Sequence, residues 1–151
     1  MPRKWILTKS FLYLFPVFLF LAPVFLQAQT AAELDAVLGA KAVTYAQAAR
    51  FVLASADDNT PGAFDLAMSR GWLPKNVSAA DAINMGELSF LMMKAFNLKG
   101  GLMYRMIPGP HYAYRSMVSC SVIQGSADPA MKVSGERFLI ILGKVLNLTG
   151  R

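Results

Sequence analysis

Residues 63–98 and 113–148 carry one apolar pattern twice, fifty positions apart and without a gap. Ala63 falls on Ala113, Phe64 on Tyr114, Met68 on Val118, Trp72-Leu73 on Val122-Ile123, and Ile83-Asn84 on Val133-Ser134. Few of these positions are identical, yet the apolar ones coincide almost throughout, as a duplicated packing unit requires. The second half of the pattern recurs upstream, where Val43 to Ala48 aligns with Ile83 to Leu88 and with Val133 to Phe138. One helix pair cannot bury both of its faces, so the copies are expected to pack on each other. The expected fold is all-α: tandem helix-loop-helix repeats, two full units and a partial N-terminal unit, packed as one bundle.

Helix starts are written in side chains. Thr44-x-x-Gln47 is a capping box flanked by Val43 and Ala48 in staple positions, which predicts a helix over about 45–55 with Ala48, Phe51 and Val52 inward. Thr30-x-x-Glu33 predicts a short earlier helix ending at Gly39, with Leu34, Val37 and Leu38 on its stripe. Thr60-Pro61 reads as a cap followed by proline at the first helical position, and this helix, with Phe64, Ala67 and Met68 on one face, stops at Gly71. Asn84-x-x-Glu87, stapled by Ile83 and Leu88, opens a helix with Leu88, Leu91, Met92, Ala95 and Phe96 inward that Gly100-Gly101 ends. Leu102–Ile107 reads as an extended connector. Pro110 starts the second copy, with Tyr114, Met117 and Val118 inward, and the last helix, stapled by Val133 and Phe138, faces inward with Phe138, Ile141, Leu142, Val145 and Leu146.

The N-terminus has a basic start, an uncharged apolar run from Phe11 to Leu26 and a small-residue exit, the parts of a secretory signal peptide. The run falls short of the roughly 20 residues of a spanning helix, and Pro16 and Pro23 interrupt it. Cleavage is expected, with a retained anchor as the alternative. The expected organisation is then a signal peptide over 1–28 and a repeat domain over 29–151, made of a partial unit 30–55, a unit 60–98, a connector 99–109 and a unit 110–148. Removing the leader takes Arg3, Lys4 and Lys9 and lowers the formal charge from +6 to +3. With no basic cluster, nucleic acid is not an expected partner. The expected location is the bacterial periplasm or cell envelope, with no membrane span after cleavage and with self-association left open.

Catalytic chemistry finds little support. Cys120 is the only cysteine, so no intramolecular disulfide forms; it reads as a small half-buried side chain. His111 is the only histidine. Nine positions along one helix separate the two, about 13 Å at 1.5 Å per residue, too far for a nucleophile-base pair. One histidine, one cysteine and scattered carboxylates make no metal cluster, and neither a G-x-S-x-G elbow nor a phosphate-cradling glycine loop occurs. The chain is therefore expected to be non-enzymatic and to need no cofactor. Tyr104, His111, Tyr112 and Tyr114 cluster around the connector, either pinning it or stacking on sugars. Met85, Met92, Met93, Met103 and Met106 read as adaptable core.

A helix, a "GW(L/I)" exit, a loop, an aliphatic residue, a small capping residue and a helix of the form T-R-A-E make up the S-layer homology (SLH) module. Ala63–Leu73 with Ile83–Phe96, and Ala113–Gly125 with Val133–Leu146, resemble two such modules, and Val43–Leu53 resembles the second helix of a third. The resemblance implies three modules around a pseudo-threefold axis in an exported protein that binds peptidoglycan or a wall-linked polymer. Where the family carries its groove arginine, this chain has Tyr45, Met85 and Gly135. Cationic and aromatic contacts to an acidic polymer would instead come from Arg70, Trp72, Lys75, Lys132 and Arg137; the alternative is that the four cations are simply solvated and the indole packs on the bundle. The alternative is an envelope adaptor that kept the scaffold without glycan binding and engages another envelope protein through exposed Met and aromatic residues.

Overall fold

The computed structural model describes residues 31–58, 61–125 and 128–150, so the expected signal peptide over 1–28 and two of the expected caps, Thr30 and Thr60, lie outside the described residues. Contacts divide the chain into residues 1–36 and Val37–Arg151. Of the first unit residues 31–36 are described, and they are helical, part of helix α1 (31–38). The second unit contains α2 (Tyr45–Ser55), α3 (Ala63–Ser69), α4 (Met85–Ala95), α5 (Leu102–Met106), α6 (Pro110–Ser119) and α7 (Gly135–Thr149). No strand occurs among the described residues, and none of their helices is long and apolar enough to cross a membrane.

The centre of the second unit is a cycle of backbone hydrogen bonds. Val43 N–H donates to the Val133 carbonyl at 2.8 Å, Ile83 N–H to the Val43 carbonyl at 2.9 Å, and Val133 N–H to the Ile83 carbonyl at 3.3 Å. All three side chains are buried without measurable exposure, and each residue stands two positions before the first residue of a helix, α2, α4 or α7. The cycle closes within one chain. Isolated antiparallel bridges, Thr44 with Ala82 and Asn84 with Lys132, flank it.

The helix starts dock through the same loops. The first N–H groups of a helix have no partner inside it. In α2, Tyr45 and Ala46 donate to the carbonyls of Asp81 and Ala79, each at 3.0 Å. In α4, Met85 and Gly86 donate to Met131 and Pro129, at 2.9 and 2.8 Å, carbonyls that lie fifty positions after Asp81 and Ala79. In α7, Gly135 donates to the Ala40 carbonyl at 2.9 Å. Matching turns present these carbonyls: Asp81 N–H donates to Ser78 and Met131 N–H to Asp128, each at 3.0 Å. Around this centre α2 packs on α3, α4 and α7, and α4 on α6. Phe51 meets Phe138 edge-on with ring centroids 6.2 Å apart, tying α2 to α7.

Most of the expected faces are inward. Ala48, Val52, Ala67, Leu88, Leu91, Met92, Phe138, Ile141, Leu142 and Val145 are buried, as are all six staple residues, Val43, Ala48, Ile83, Leu88, Val133 and Phe138. Several expectations are corrected. Pro61 lies in a turn, and the cap of α3 is Gly62 in the left-handed region, so the helix begins at Ala63. The helix α4 ends at Ala95, with Asn97 left-handed after it, before the Gly100-Gly101 pair is reached. Residues 102–106 form helix α5 rather than an extended connector. Leu34 and Leu38 are exposed while Val37 is buried. Val118 is exposed as well, because α6 turns Ser116 inward, where its hydroxyl accepts from Gly101 N–H and donates to the Tyr112 carbonyl.

Three substitutions make this geometry testable. A Cβ on Gly135 would lie 1.6 Å from the Val37 carbonyl oxygen, whereas one on Gly143, also in α7, would meet nothing within 4 Å. Gly135→Ala is expected to cost roughly 3 kcal/mol in urea denaturation through overpacking against backbone, and Gly143→Ala to gain up to about 1 kcal/mol. Gly71 and Ser121 occupy the same left-handed position after α3 and α6, at φ 68° and 60°. Ser121→Gly is expected to stabilise by about 1 kcal/mol, read as a higher urea midpoint with unchanged slope.

Candidate functional site

The three helix starts share a backbone plan but differ in side-chain chemistry. In α2 the capping box is complete: Thr44 Oγ1 accepts from Gln47 N–H at 3.2 Å and Gln47 Oε1 accepts from Thr44 N–H at 3.0 Å. In α4, Asn84 Oδ1 accepts from Glu87 N–H at 2.9 Å, and the Glu87 carboxylate accepts a hydrogen bond from the Tyr45 hydroxyl, reaching across from α2. In α7 Ser134 makes no side-chain cap, and Arg137, at the position of Gln47 and Glu87, donates instead to the Gln124 carbonyl at 3.5 Å and to Met131 Sδ at 3.8 Å.

Tyr45, Met85 and Gly135, where the SLH resemblance would place an arginine, are all buried. None carries a charge, and at Gly135 the Val37 backbone occupies the space a side chain would need. Burial first, and then the Glu87 carboxylate, holds the Tyr45 phenol well above its ordinary range. Burial does the same, in the same direction, for Tyr104.

The cationic and aromatic candidates fall into separate groups. Arg70 pairs with Asp58 at 2.6 Å, and its guanidinium carbon lies 4.8 Å from the Trp72 ring centroid. Asp58 also lines a groove of about 500 Å³ between α2 and α3, together with Ala46, Arg50, Ala54 and Phe64. Lys75 is exposed in the loop after Trp72. Lys132 donates to the Ala82 carbonyl at 2.7 Å, so that it and Arg137 tie down loop carbonyls. Arg50 was absent from the sequence-derived set, although its spacing of four from both Ala46 and Ala54 places all three on one helix face.

A second hollow of about 460 Å³ is lined by Lys94, Lys99, Tyr104, Arg105 and Pro108. Beside it Met103 and Met106 are exposed, whereas Met85, Met92 and Met93 are core, so the expected methionine cluster divides. Cys120 is exposed rather than half-buried. His111 is exposed with its ring edge-on to Tyr112, and among the described residues no three His, Cys, Asp or Glu side chains could hold a metal ion. No family model, curated protein or solved structure matches this chain.

The Tyr45 phenol gives the site a pH signature. A phenol whose pKa is raised by folding contributes its full stabilisation below the unfolded value of about 10 and loses it as pH rises through the raised value. Stability is thus expected to be level up to about pH 10 and to fall above it. In Tyr45→Phe the fall should be shallower, with a cost of roughly 1 kcal/mol at neutral pH from the lost hydrogen bond. Urea midpoints between pH 8 and 11.5 check this, and equal slopes in the two proteins would contradict it.

Proposed function

We propose that this chain is a non-enzymatic, exported module of the bacterial cell envelope, built from SLH-like units in a threefold arrangement, which binds peptidoglycan or a wall-linked polymer. The observation that carries this reading is the closed hydrogen-bond cycle of Val43, Ile83 and Val133, each at the entry to an equivalent helix. Three such entries meeting at one centre are what three SLH-like units around an axis would produce. The polymer would be met by the Arg70 and Trp72 pair, with Arg50 and Phe64 in the adjoining groove and Lys75 beside it. A guanidinium on an indole combines a flat face for a sugar ring with directed donors for a carboxylate or phosphate. Lys132 and Arg137 pass from contact residues to positioning residues, since both hold loop carbonyls.

A second reading, an envelope adaptor that kept the scaffold without glycan binding, is favoured by one specific observation. The three positions of the family's groove arginine are neutral and buried, and an acidic polymer gains nothing from such groups.

Co-sedimentation of residues 29–151 with cell-wall sacculi, with and without their attached polymers, separates the two. The polymer reading expects pelleting that depends on the polymer, weakens as salt rises, and drops several-fold in the Arg70→Ala/Lys75→Ala double variant. Protein remaining in the supernatant at every salt concentration would leave the adaptor reading.

A further inference from the structure

Among the described residues, helix α5 and the residue that follows it carry four exposed large apolar side chains. Leu102 is 70% exposed, Met103 56%, Met106 68% and Ile107 60%. Leu102 and Met106 are four apart and Met103 and Met106 three apart, neighbours on the helix surface, and Ile107 follows as the C-cap residue. Tyr104 alone points inward, buried and edge-on to Phe90 with ring centroids 6.3 Å apart. The Ser116 hydroxyl fixes the start of the helix through Gly101 N–H at 3.1 Å. The apolar side chains are thus held outward by a pinned backbone.

Its surroundings are basic. Between Glu87 and Asp128 the sequence has no acidic residue, while Lys94, Lys99, Arg105 and Arg115 all lie there. Three of these four cations line the hollow on one side of α5, with Tyr104. Arg115 lines another hollow, of about 380 Å³, with Leu102, Met103 and Tyr112. Apolar side chains flanked on both sides by cations, with aromatic rings at the boundary, complement one surface best: acyl chains beneath negatively charged headgroups. A soluble acidic polymer would leave the four apolar side chains in water.

We propose that α5 is a docking surface for a bilayer containing anionic phospholipid, with Leu102, Met103, Met106 and Ile107 entering the acyl boundary and Lys99 and Arg105 meeting headgroup phosphates. This is independent of wall binding, and its test reads α5 locally, because the apolar run 11–26 could hold the full chain on any vesicle.

Hydrogen exchange by mass spectrometry on the full chain serves, with phosphatidylglycerol vesicles, phosphatidylcholine vesicles or a soluble polyanion at equal phosphate. The proposal expects exchange over 102–108 to slow at least tenfold on phosphatidylglycerol alone. Leu102→Asp/Ile107→Asp should abolish that slowing with exchange in α4 and α7 unchanged. Lys99→Gln/Arg105→Gln, which leaves the four apolar side chains intact, should raise the lipid concentration needed by roughly fivefold per cation. Unchanged exchange over 102–108, equal slowing on phosphatidylcholine, or equal slowing by the polyanion would each overturn it, the first in favour of a protein partner and the last in favour of an acidic polymer.

Discussion

The Val43, Ile83 and Val133 cycle is the constraint on which the rest of the second unit depends. A buried backbone N–H or carbonyl without a partner costs on the order of 1–3 kcal/mol, and these residues sit where water does not reach. Each gives one hydrogen bond and takes one, so no member can leave without stranding two groups. Two copies of the pattern alone would leave the Ile83 N–H and the Val133 carbonyl unmet. The upstream segment containing Val43 supplies both, which gives a physical reason for a third helix entry in a chain whose clear duplication is twofold. The adjoining loops extend the same principle, since their carbonyls accept from the first N–H groups of α2, α4 and α7.

Much of this was legible because it is written in side chains at fixed spacing. Capping residues and staples announce α2, α4 and α7, and these helices start at Tyr45, Met85 and Gly135 as the spacing predicts. The contacts that join the starts were not legible, because they run through backbone carbonyls, which every residue carries. Asp81 and Met131 share no side-chain chemistry, yet they perform the same task. Short elements fail for a different reason. Helix α5 has five residues and no side-chain cap, too little for a 3.6-residue period to be told from an extended run, and its exposed methionines look like core in a sequence.

The candidate site was legible as composition and not as use. Arg70, Lys132 and Arg137 are cations in the sequence, and only the structure shows each already engaged, with Asp58, with Ala82, and with Gln124 and Met131. Nor does the sequence reveal that Tyr45 turns inward to meet Glu87. That contact links α2 to α4, so the tyrosine at this position has a structural use.

The scaffold and the exposed chemistry belong to different parts of the chain. Residues that recur at fifty-position spacing are spent on the core, the cycle and the loop carbonyls, and their identities follow from packing. The stretch between α4 and α6 has no counterpart of similar length between α2 and α3. Nothing in the cycle or the helix starts requires Leu102, Met103, Met106 or Ile107 to be apolar, and leaving large apolar side chains in water lowers solubility without adding to stability. Their character therefore answers to something outside the fold. The absence of acidic residues from the same stretch points the same way, because an ordinary solvated face carries both signs of charge. A connecting stretch outside the cycle is where the fold can acquire a surface of its own without disturbing the bonds that close it.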